Sequence, residues 1–132
     1  MTALVVDANI ILSALLGRSL PTLEDIAGRG VELFVPVIQW IEVQAVLRHL
    51  RPESVNELMT QAAAFVDILP LEAFVPFEGR ARERLENGQE DWAVLASAMA
   101  LEAGIWSKDR DFFGVGVPVW TTSNIRFVEG GR

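Results

Sequence analysis

The 132-residue sequence carries acidic side chains at four places where a carboxylate could do chemistry. They are Asp7, Glu42, Asp91 and the pair Asp109 and Asp111. Carboxylates gathered within a few ångströms repel one another unless a cation joins them. Oxygen ligands select hard ions such as Mg²⁺ or Mn²⁺, and one or two of these ions can activate water and clamp a phosphodiester for displacement. If the fold brings these acids together, they predict metal-dependent phosphoryl chemistry.

Other kinds of site are excluded by composition. The chain has no cysteine, which excludes disulfides, thiolate zinc sites and cysteine nucleophiles. Its one histidine, His49, excludes a metal site built from several histidines. His49 lies near the end of a predicted helix, where a cation is favourable, and we assign it no catalytic role.

Three of the acids directly follow short apolar runs that are typical of strands buried in a parallel sheet. Asp7 follows the run 3–6, and Asp109 and Asp111 follow the run 105–107. In such sheets ligands bind beyond the carboxyl ends of the strands, near the point where strand order reverses. The alternatives are structural: Asp7 could cap a helix unless Asn9 does so, and acids are ordinary residues in turns.

Glu42 lies within an apolar helical segment, on the line of Ile38 and Val46. A carboxylate in an apolar stripe is costly to bury unless its charge is compensated, which favours a functional role. The alternatives are a buried ion pair with an arginine, or a helix rotated so that Glu42 and Gln39 face water together.

Asp91 begins the most helix-prone stretch of the chain, directly after Glu90. The helix dipole alone favours acids in a first turn, so Asp91 taken singly indicates little. Asp91 becomes informative in combination with the other acids, because each of them lies at the same edge of the predicted sheet or on a helix that packs beside that edge.

Strand and helix patterns alternate along the chain. Apolar runs predict strands at 3–6, 33–35, 105–107 and 117–120, with weaker candidates at 68–69 and 74–75. Helices are predicted at 10–16, 21 to about 28–30, 37–50, 53–66, 77–86 and 90–103, the last with Gly104 at its C′ position. This order predicts one α/β domain over residues 1–132, with a mostly parallel sheet and helices on both faces.

Composition bounds the class of protein. With 51% hydrophobic residues the chain is too apolar to be disordered, and no uncharged apolar run reaches the roughly 18 residues that a membrane span needs. The N-terminus lacks the basic region of a signal peptide, so we expect a cytoplasmic protein. The net charge of -7 argues at first against nucleic acid as a partner, but four or five of the 18 acids are candidate metal ligands. We therefore expect nucleic-acid binding to be weak without metal.

Taken together and in order, these segments resemble the PIN domain nucleases. The resemblance begins with the strand and Asp-x-Asn of residues 4–9 and continues with Glu42 in the helical segment 37–43. It then includes Asp91 ahead of residues 93–98 and the segment 105–112, and it ends at 120–122. One departure is Ser107, where the family usually has threonine, but the hydroxyl is kept. The resemblance implies a parallel sheet of about five strands.

The resemblance also implies roles for individual residues. Asp7, Glu42, Asp91 and Asp109 would be the catalytic, metal-binding quartet for Mg²⁺ or Mn²⁺, with Asp111 as a possible fifth ligand and Asp91 a better match than Glu90. Supporting roles would fall to Asn9 and Ser107, and phosphate contacts to Arg18, Lys108 and Arg110. Members of this size resemble VapC-type toxins, which are ribonucleases, usually homodimers, held inactive by a cognate antitoxin.

Two other functions remain open at this point. The chain could be an inactive member of the same fold that serves as a binding module. It could also be a phospho-receiver domain, which has a similar length, acids and a lysine. However, a receiver needs a phosphoacceptor after a central strand, and Asp67 precedes the apolar residues 68–69.

Overall fold

Five short strands form one sheet in the computed structural model, which describes residues 2–17 and 19–128. The strands are β1 (Ala3–Val6), β2 (Glu32–Pro36), β3 (Asp67–Leu69), β4 (Gly104–Trp106) and β5 (Val119–Trp120). Their order is β3-β2-β1-β4-β5, and every neighbouring pair is parallel. The predicted α/β fold with a parallel sheet is therefore confirmed.

Helices connect the strands, as the alternation predicted. They are α1 (Ala8–Leu16), α2 (Leu20–Gly28), α3 (Val37–Leu50), α4 (Val55–Ala63), α5 (Leu71–Phe74), α6 (Glu78–Arg84) and α7 (Trp92–Leu101). Short 3-10 turns lie at Val75–Phe77, Gln89–Asp91, Arg110–Phe112 and Ile125–Phe127. Among the described helices, none is both long and apolar enough to cross a membrane.

The two faces of the sheet carry separate apolar cores, because successive strand residues point to opposite sides. In β1, Leu4 and Val6 pack on the side of α1 to α4, whereas Val5 packs on the side of α5 to α7. Helix α7 is buried nearly all round and lies against β1. Its small side chains let the backbone approach the sheet closely, which fixes the position of its N-terminal end and hence of Asp91.

One predicted strand is wrong. Residues 74–75, proposed as a weak strand, instead end α5 and begin the 3-10 turn Val75–Phe77. Pro70 precedes α5 and Pro76 lies in the first turn that follows, where a missing N–H costs nothing. Phe74 is completely buried because it packs against Trp92, with ring centroids 5.6 Å apart, and not because it lies in a sheet.

The helix predicted over 90–103 is shorter than expected at both ends. A 3-10 turn takes its first residues, and the left-handed residue that ends α7 is Glu102 at φ 52°, not Gly104. Gly104 instead opens β4, where a Cβ would lie 3.1 Å from both a Leu4 methyl group and the Pro118 carbonyl oxygen. This glycine therefore serves close strand packing rather than a helix end.

The strand order reverses between β1 and β4. The chain runs from β1 outward to β3 on one side, and then crosses to β4 and β5 on the other. The carboxyl ends of β1 and β4 lie side by side, with Val6 opposite Trp106. This is the place where open α/β sheets bind ligands.

Candidate functional site

Asp7 and Ser107 meet at this reversal point. The Ser107 hydroxyl donates to Oδ2 of Asp7 at 2.7 Å, and the Asp7 backbone N–H donates to the Trp106 carbonyl at 3.0 Å. The same hydroxyl accepts from the backbone N–H of Asp109 at 3.0 Å. Asp7 occupies the position before α1, where the backbone N–H groups of Ala8 and Asn9 help to stabilise its carboxylate, although no regular capping hydrogen bond forms within the described residues. The buried hydrogen bond from Ser107 is a contact that a helix cap does not require.

Asp7 is 5% exposed, and its burial has an electrostatic consequence. Desolvation raises the pKa of its carboxyl group above the ordinary value, the Ser107 hydrogen bond opposes that rise, and the charge of Asp109 adds to it. A buried carboxylate in this state is stabilised by any cation that reaches it.

Three other acids converge beside it. Carboxylate oxygens of Asp91, Asp109 and Asp111 all lie within 4.8 Å of one another. Asp109 precedes the 3-10 turn Arg110–Phe112, and its Oδ1 accepts from the Asp111 backbone N–H at 2.9 Å, which orients both residues. Asp111, predicted as a fifth acid, thus lies in the tightest group, whereas Asp7 and Glu42 lie outside it.

Asp91 carries the clearest mark of this crowding. Its pKa is raised to about 7, first by burial, then by a hydrogen bond with Asp109 and by the charges of Asp7, Asp109 and Glu90. Near neutral pH the group therefore titrates between a protonated and an anionic form. Glu90 itself is exposed and lies outside the group of three carboxylates.

Glu42 is placed differently from the prediction. The buried line of α3 is Gln39, Val43 and Leu47, so Glu42 is exposed and its neighbour Ile41 is 59% exposed. Glu42 nevertheless lies close enough for the charge of Asp7 to act on it, and partial desolvation together with that charge raises the pKa of its carboxyl group. The apolar line of Ile38, Glu42 and Val46 is therefore not the buried face of α3. Helical periodicity alone could not distinguish it from the neighbouring line of Gln39, Val43 and Leu47, which is buried.

Gln39 lies at the site, although the sequence reasoning named it only in the alternative in which it would face water together with Glu42. It is buried, and its Oε1 accepts from the Ala8 backbone N–H at 2.8 Å. This bond ties α3 to the residue after Asp7, and Glu42 follows one turn later on the same helix. A glutamine among apolar residues was the available indication, but its partner lies 31 residues away in sequence.

Gly88 was also missed. It has a left-handed conformation at φ +63°, and a Cβ there would collide with the Asp111 carboxylate. The Asn-Gly pair follows the helix predicted over 77–86, and the sequence analysis assigned it no role in the site. In the structure it allows Asp111 to come close to the loop before Asp91.

The predicted basic contacts flank the acids. Lys108 and Asn9 border a cleft of about 760 Å³ between α1 and α2, on one side of the site. Arg110 and Asp111 line a smaller cavity on another side. Both cations are exposed. The prediction for Arg18 lies outside the described residues.

The donor set fits a hard divalent cation. It consists of carboxylates with hydroxyl and backbone groups orienting them, and no sulfur or imidazole belongs to it. The raised pKa of Asp91 is the response expected of clustered acids before a cation joins them. An acidic centre at the reversal point of a parallel sheet can thus hold a metal ion over a bound phosphodiester.

This fold and this centre define a known class. A family model described as PIN domain matches residues 5–129, so the chain belongs to the PIN domain family. VapC-type members of this family are nucleases. No curated protein sequence matches the chain.

Three solved structures illustrate the proteins that share this fold. VapBC2 from Rickettsia felis, bound to a promoter DNA fragment, has a TM-score of 0.75 at 17% identity, with 91% of this chain and 98% of that chain covered. A toxin–antitoxin complex from Klebsiella pneumoniae has a TM-score of 0.70 at 18% identity, with 90% and 97% covered. FitAcB from Neisseria gonorrhoeae has a TM-score of 0.67 at 16% identity, with 91% and 98% covered.

The phospho-receiver alternative does not agree with the family or with the topology. The receiver fold has strand order 2-1-3-4-5, whereas the order here is 3-2-1-4-5. Asp67 opens the edge strand β3 and is exposed, far from a central position in the sheet.

Proposed function

We propose that this protein is a Mg²⁺- or Mn²⁺-dependent endoribonuclease and the toxin of a type II toxin–antitoxin pair. The observation that carries the proposal is the group of three carboxylates, Asp91, Asp109 and Asp111, beside Asp7 at the reversal point of the sheet. A phosphodiester is the substrate class whose charge suits a cation held by such acids. RNA as substrate and the cytoplasm as location follow from the likeness to VapC-type toxins.

In the proposed site Asp7, Glu42, Asp91 and Asp109 hold one or two ions, with Asp111 as a further ligand. When bound, such ions activate water at neutral pH and neutralise the charge that develops on the phosphate. Ser107 positions Asp7 and Asp109 through one hydroxyl. Asp91, with its pKa of about 7 in the metal-free protein, must lose its proton before it can act as a ligand, so the affinity for the ion rises with pH through neutrality.

Partner proteins are part of the proposal. The Klebsiella neighbour is a toxin–antitoxin complex, and we propose a cognate antitoxin for this chain too. A basic antitoxin segment suits the acidic site and the net charge of -7.

We also propose that the protein forms a homodimer. Sedimentation equilibrium measures this, and a monomer at micromolar concentration would contradict it.

Cleavage of single-stranded RNA by the purified protein tests the enzyme. We expect cutting with Mg²⁺ or Mn²⁺, loss of cutting with EDTA, and a loss of at least about a hundredfold for Asp7→Asn, because a ligand charge is removed. The matched control is Asp67→Asn, an exposed aspartate at the edge of the sheet, which should cut like the wild type.

Two results would contradict the enzyme proposal. An inactive binding module would cut no RNA with either ion, and equal rates for Asp7→Asn and the wild type would overturn the site assignment.

For the toxin, we expect a short upstream reading frame that encodes a DNA-binding antitoxin, and relief of growth arrest when it is co-expressed. An isolated gene with no such neighbour would count against the pairing.

A further inference from the structure

A small cavity adjoins the acidic centre and is not used by the proposed metal site. Its volume is about 330 Å³, at the lower end for small-molecule sites, and Asp111 belongs to both its wall and the group of three carboxylates. The other walls include Arg84, Asn87, Arg110 and Phe113. A strand of nucleic acid whose phosphodiester lies at the carboxylates would therefore place its next nucleotide here.

Two arginines line this cavity. Among the described residues the arginines in ion pairs are Arg29 and Arg82, so neither Arg84 nor Arg110 has a carboxylate within bonding distance. Arg84 is held in place by donating from Nη1 to the Val115 carbonyl at 3.3 Å, which leaves its other donors available. Guanidinium groups bind phosphate oxygens through paired donors.

Phe113 supplies an aromatic face. It is 55% exposed, whereas the preceding Phe112 is completely buried in the core. A large exposed ring beside two arginines combines the two features that bind single-stranded nucleic acid, a cationic track for phosphates and a platform on which a base stacks. Asn87 adds an amide that can both donate to and accept from the edge of that base.

We propose that this cavity, lined by Arg84, Asn87, Arg110 and Phe113, binds one nucleotide of the RNA strand next to the bond that is cut. The base stacks on Phe113, and its phosphate contacts Arg84 and Arg110. Glu86 also lines the cavity, which keeps its net charge low and makes stacking a substantial part of the binding. The inference rests on the proposed function.

Binding of a fluorescein-labelled single-stranded RNA octamer tests the cavity without relying on cleavage. The measurement is made with Ca²⁺, which binds oxygen ligands and neutralises the carboxylates, and a gel checks that the RNA stays intact. We expect Phe113→Ala to raise Kd about five- to hundredfold, the range for loss of one stacked base. The matched control is Arg80→Gln on α6, which lies over Phe77 and does not line this cavity, and Kd should not change.

Salt dependence separates phosphate contacts from base contacts. The slope of log Kd against log salt should fall by about 0.7 for Arg84→Gln and by about 0.7 for Arg110→Gln, since each removes one phosphate contact on a single strand. Phe113→Ala should leave that slope unchanged, because stacking releases no counterion. Thermal unfolding of each variant checks that the fold is kept.

The outcomes distinguish this inference from the proposed function. Unchanged Kd and salt slope in all three cavity variants would overturn the nucleotide site, even if the wild type cuts RNA. Conversely, RNA binding that depends on Phe113 and both arginines supports the site even if no cleavage occurs, and then the proposed enzyme alone fails. In the cleavage assay we expect Phe113→Ala to raise KM more than it lowers kcat.

Discussion

Ser107 and Ser97 are both completely buried, but their hydroxyls have different partners. Ser107 joins Asp7 to the Asp109 backbone, whereas Ser97 donates to the Ala93 carbonyl within α7 at 2.7 Å. Replacing each serine by alanine therefore tests whether Ser107 positions the acids of the site, because Ser97 matches it in residue type and in burial.

We expect Ser107→Ala to lower RNA cleavage about ten- to hundredfold, the usual effect of losing a group that orients metal ligands. It should also lower the free energy of unfolding by about 1–3 kcal/mol, because two hydrogen bonds are lost in the interior. Ser97→Ala should keep the cleavage rate and change the free energy of unfolding by less than about 1 kcal/mol. The Ser97 hydroxyl donates to the carbonyl four residues earlier in the same helix, a contact that contributes little to stability. Equal cleavage rates for the two variants would contradict the role of Ser107.

The raised pKa of Asp91 predicts how the stability of the metal-free protein changes with pH. Its pKa is about 7 in the folded protein and 3.8 by reference, so between these values the folded state binds more protons than the unfolded state. The stabilisation is complete below pH 3.8 and is lost as pH rises through about 7. In EDTA, we therefore expect the melting temperature of the wild type to fall between about pH 5 and pH 8 by more than that of Asp91→Asn. Parallel curves for the two proteins would contradict the shift.

At this scale the sequence predicted that the acids meet at one edge of the sheet but not which of them lie closest together. Strand ends located Asp7 and Asp109, because a short apolar run is recognisable without a structure. The burial of Gln39 and the exposure of Glu42 could not be predicted, since they depend on a bond from Ala8 to α3 across 31 residues. The resemblance of segment 105–112 pointed to Asp111 only as a possible fifth ligand, whereas the local turn after Asp109 brings it into the tightest group.

At the scale of elements, two glycines in and after α6 differ in what they permit. Gly79 lies within α6, where an added Cβ would meet nothing within 4 Å, whereas Gly88 follows the helix at φ +63° against the Asp111 carboxylate. One is an ordinary helix residue, and the other shapes the acidic centre.

We expect Gly79→Ala to raise the free energy of unfolding by about 0.5–1 kcal/mol, because alanine is the better helix former. Gly88→Ala should lower it by about 1 kcal/mol or more, since the left-handed backbone is strained and Asp111 must move. RNA cleavage should fall in Gly88→Ala alone. Chemical denaturation and the cleavage assay measure these effects, and normal cleavage by Gly88→Ala would show that the position of Asp111 is unimportant.

Most elements were predicted, with errors that have physical causes. The helix over 37–50 has the predicted bounds, because apolar spacing and the flanking prolines mark it clearly. The strand proposed at 74–75 failed because a short apolar run between prolines fits a buried turn of helix equally well. Only packing against Trp92 decides between the two.

At the scale of the whole molecule, metal binding should stabilise the fold. The acids of the site repel one another in a chain of net charge -7, and an ion that binds only the folded state adds about 2.7 kcal/mol at a hundredfold excess over Kd. We expect Mn²⁺ to raise the melting temperature of the wild type and of Glu24→Gln, which removes one exposed charge on α2. In Asp109→Asn the increase should be lost. NaCl at equal ionic strength controls for screening, and an equal rise in all three proteins would argue against a specific site.

The hydrogen bond between Asp7 and Ser107 joins residues 100 positions apart. Strand β1, at the centre of the sheet, gains its neighbour β4 only after most of the chain has been synthesised. Because a chain leaves the ribosome N-terminus first and a domain folds as a unit, a nascent or truncated chain holds Asp7 without Ser107, Asp109 and Asp111. With the proposed ribonuclease activity, the protein would thus remain harmless to the ribosome and message that produce it until residues 104–111 have emerged and folded.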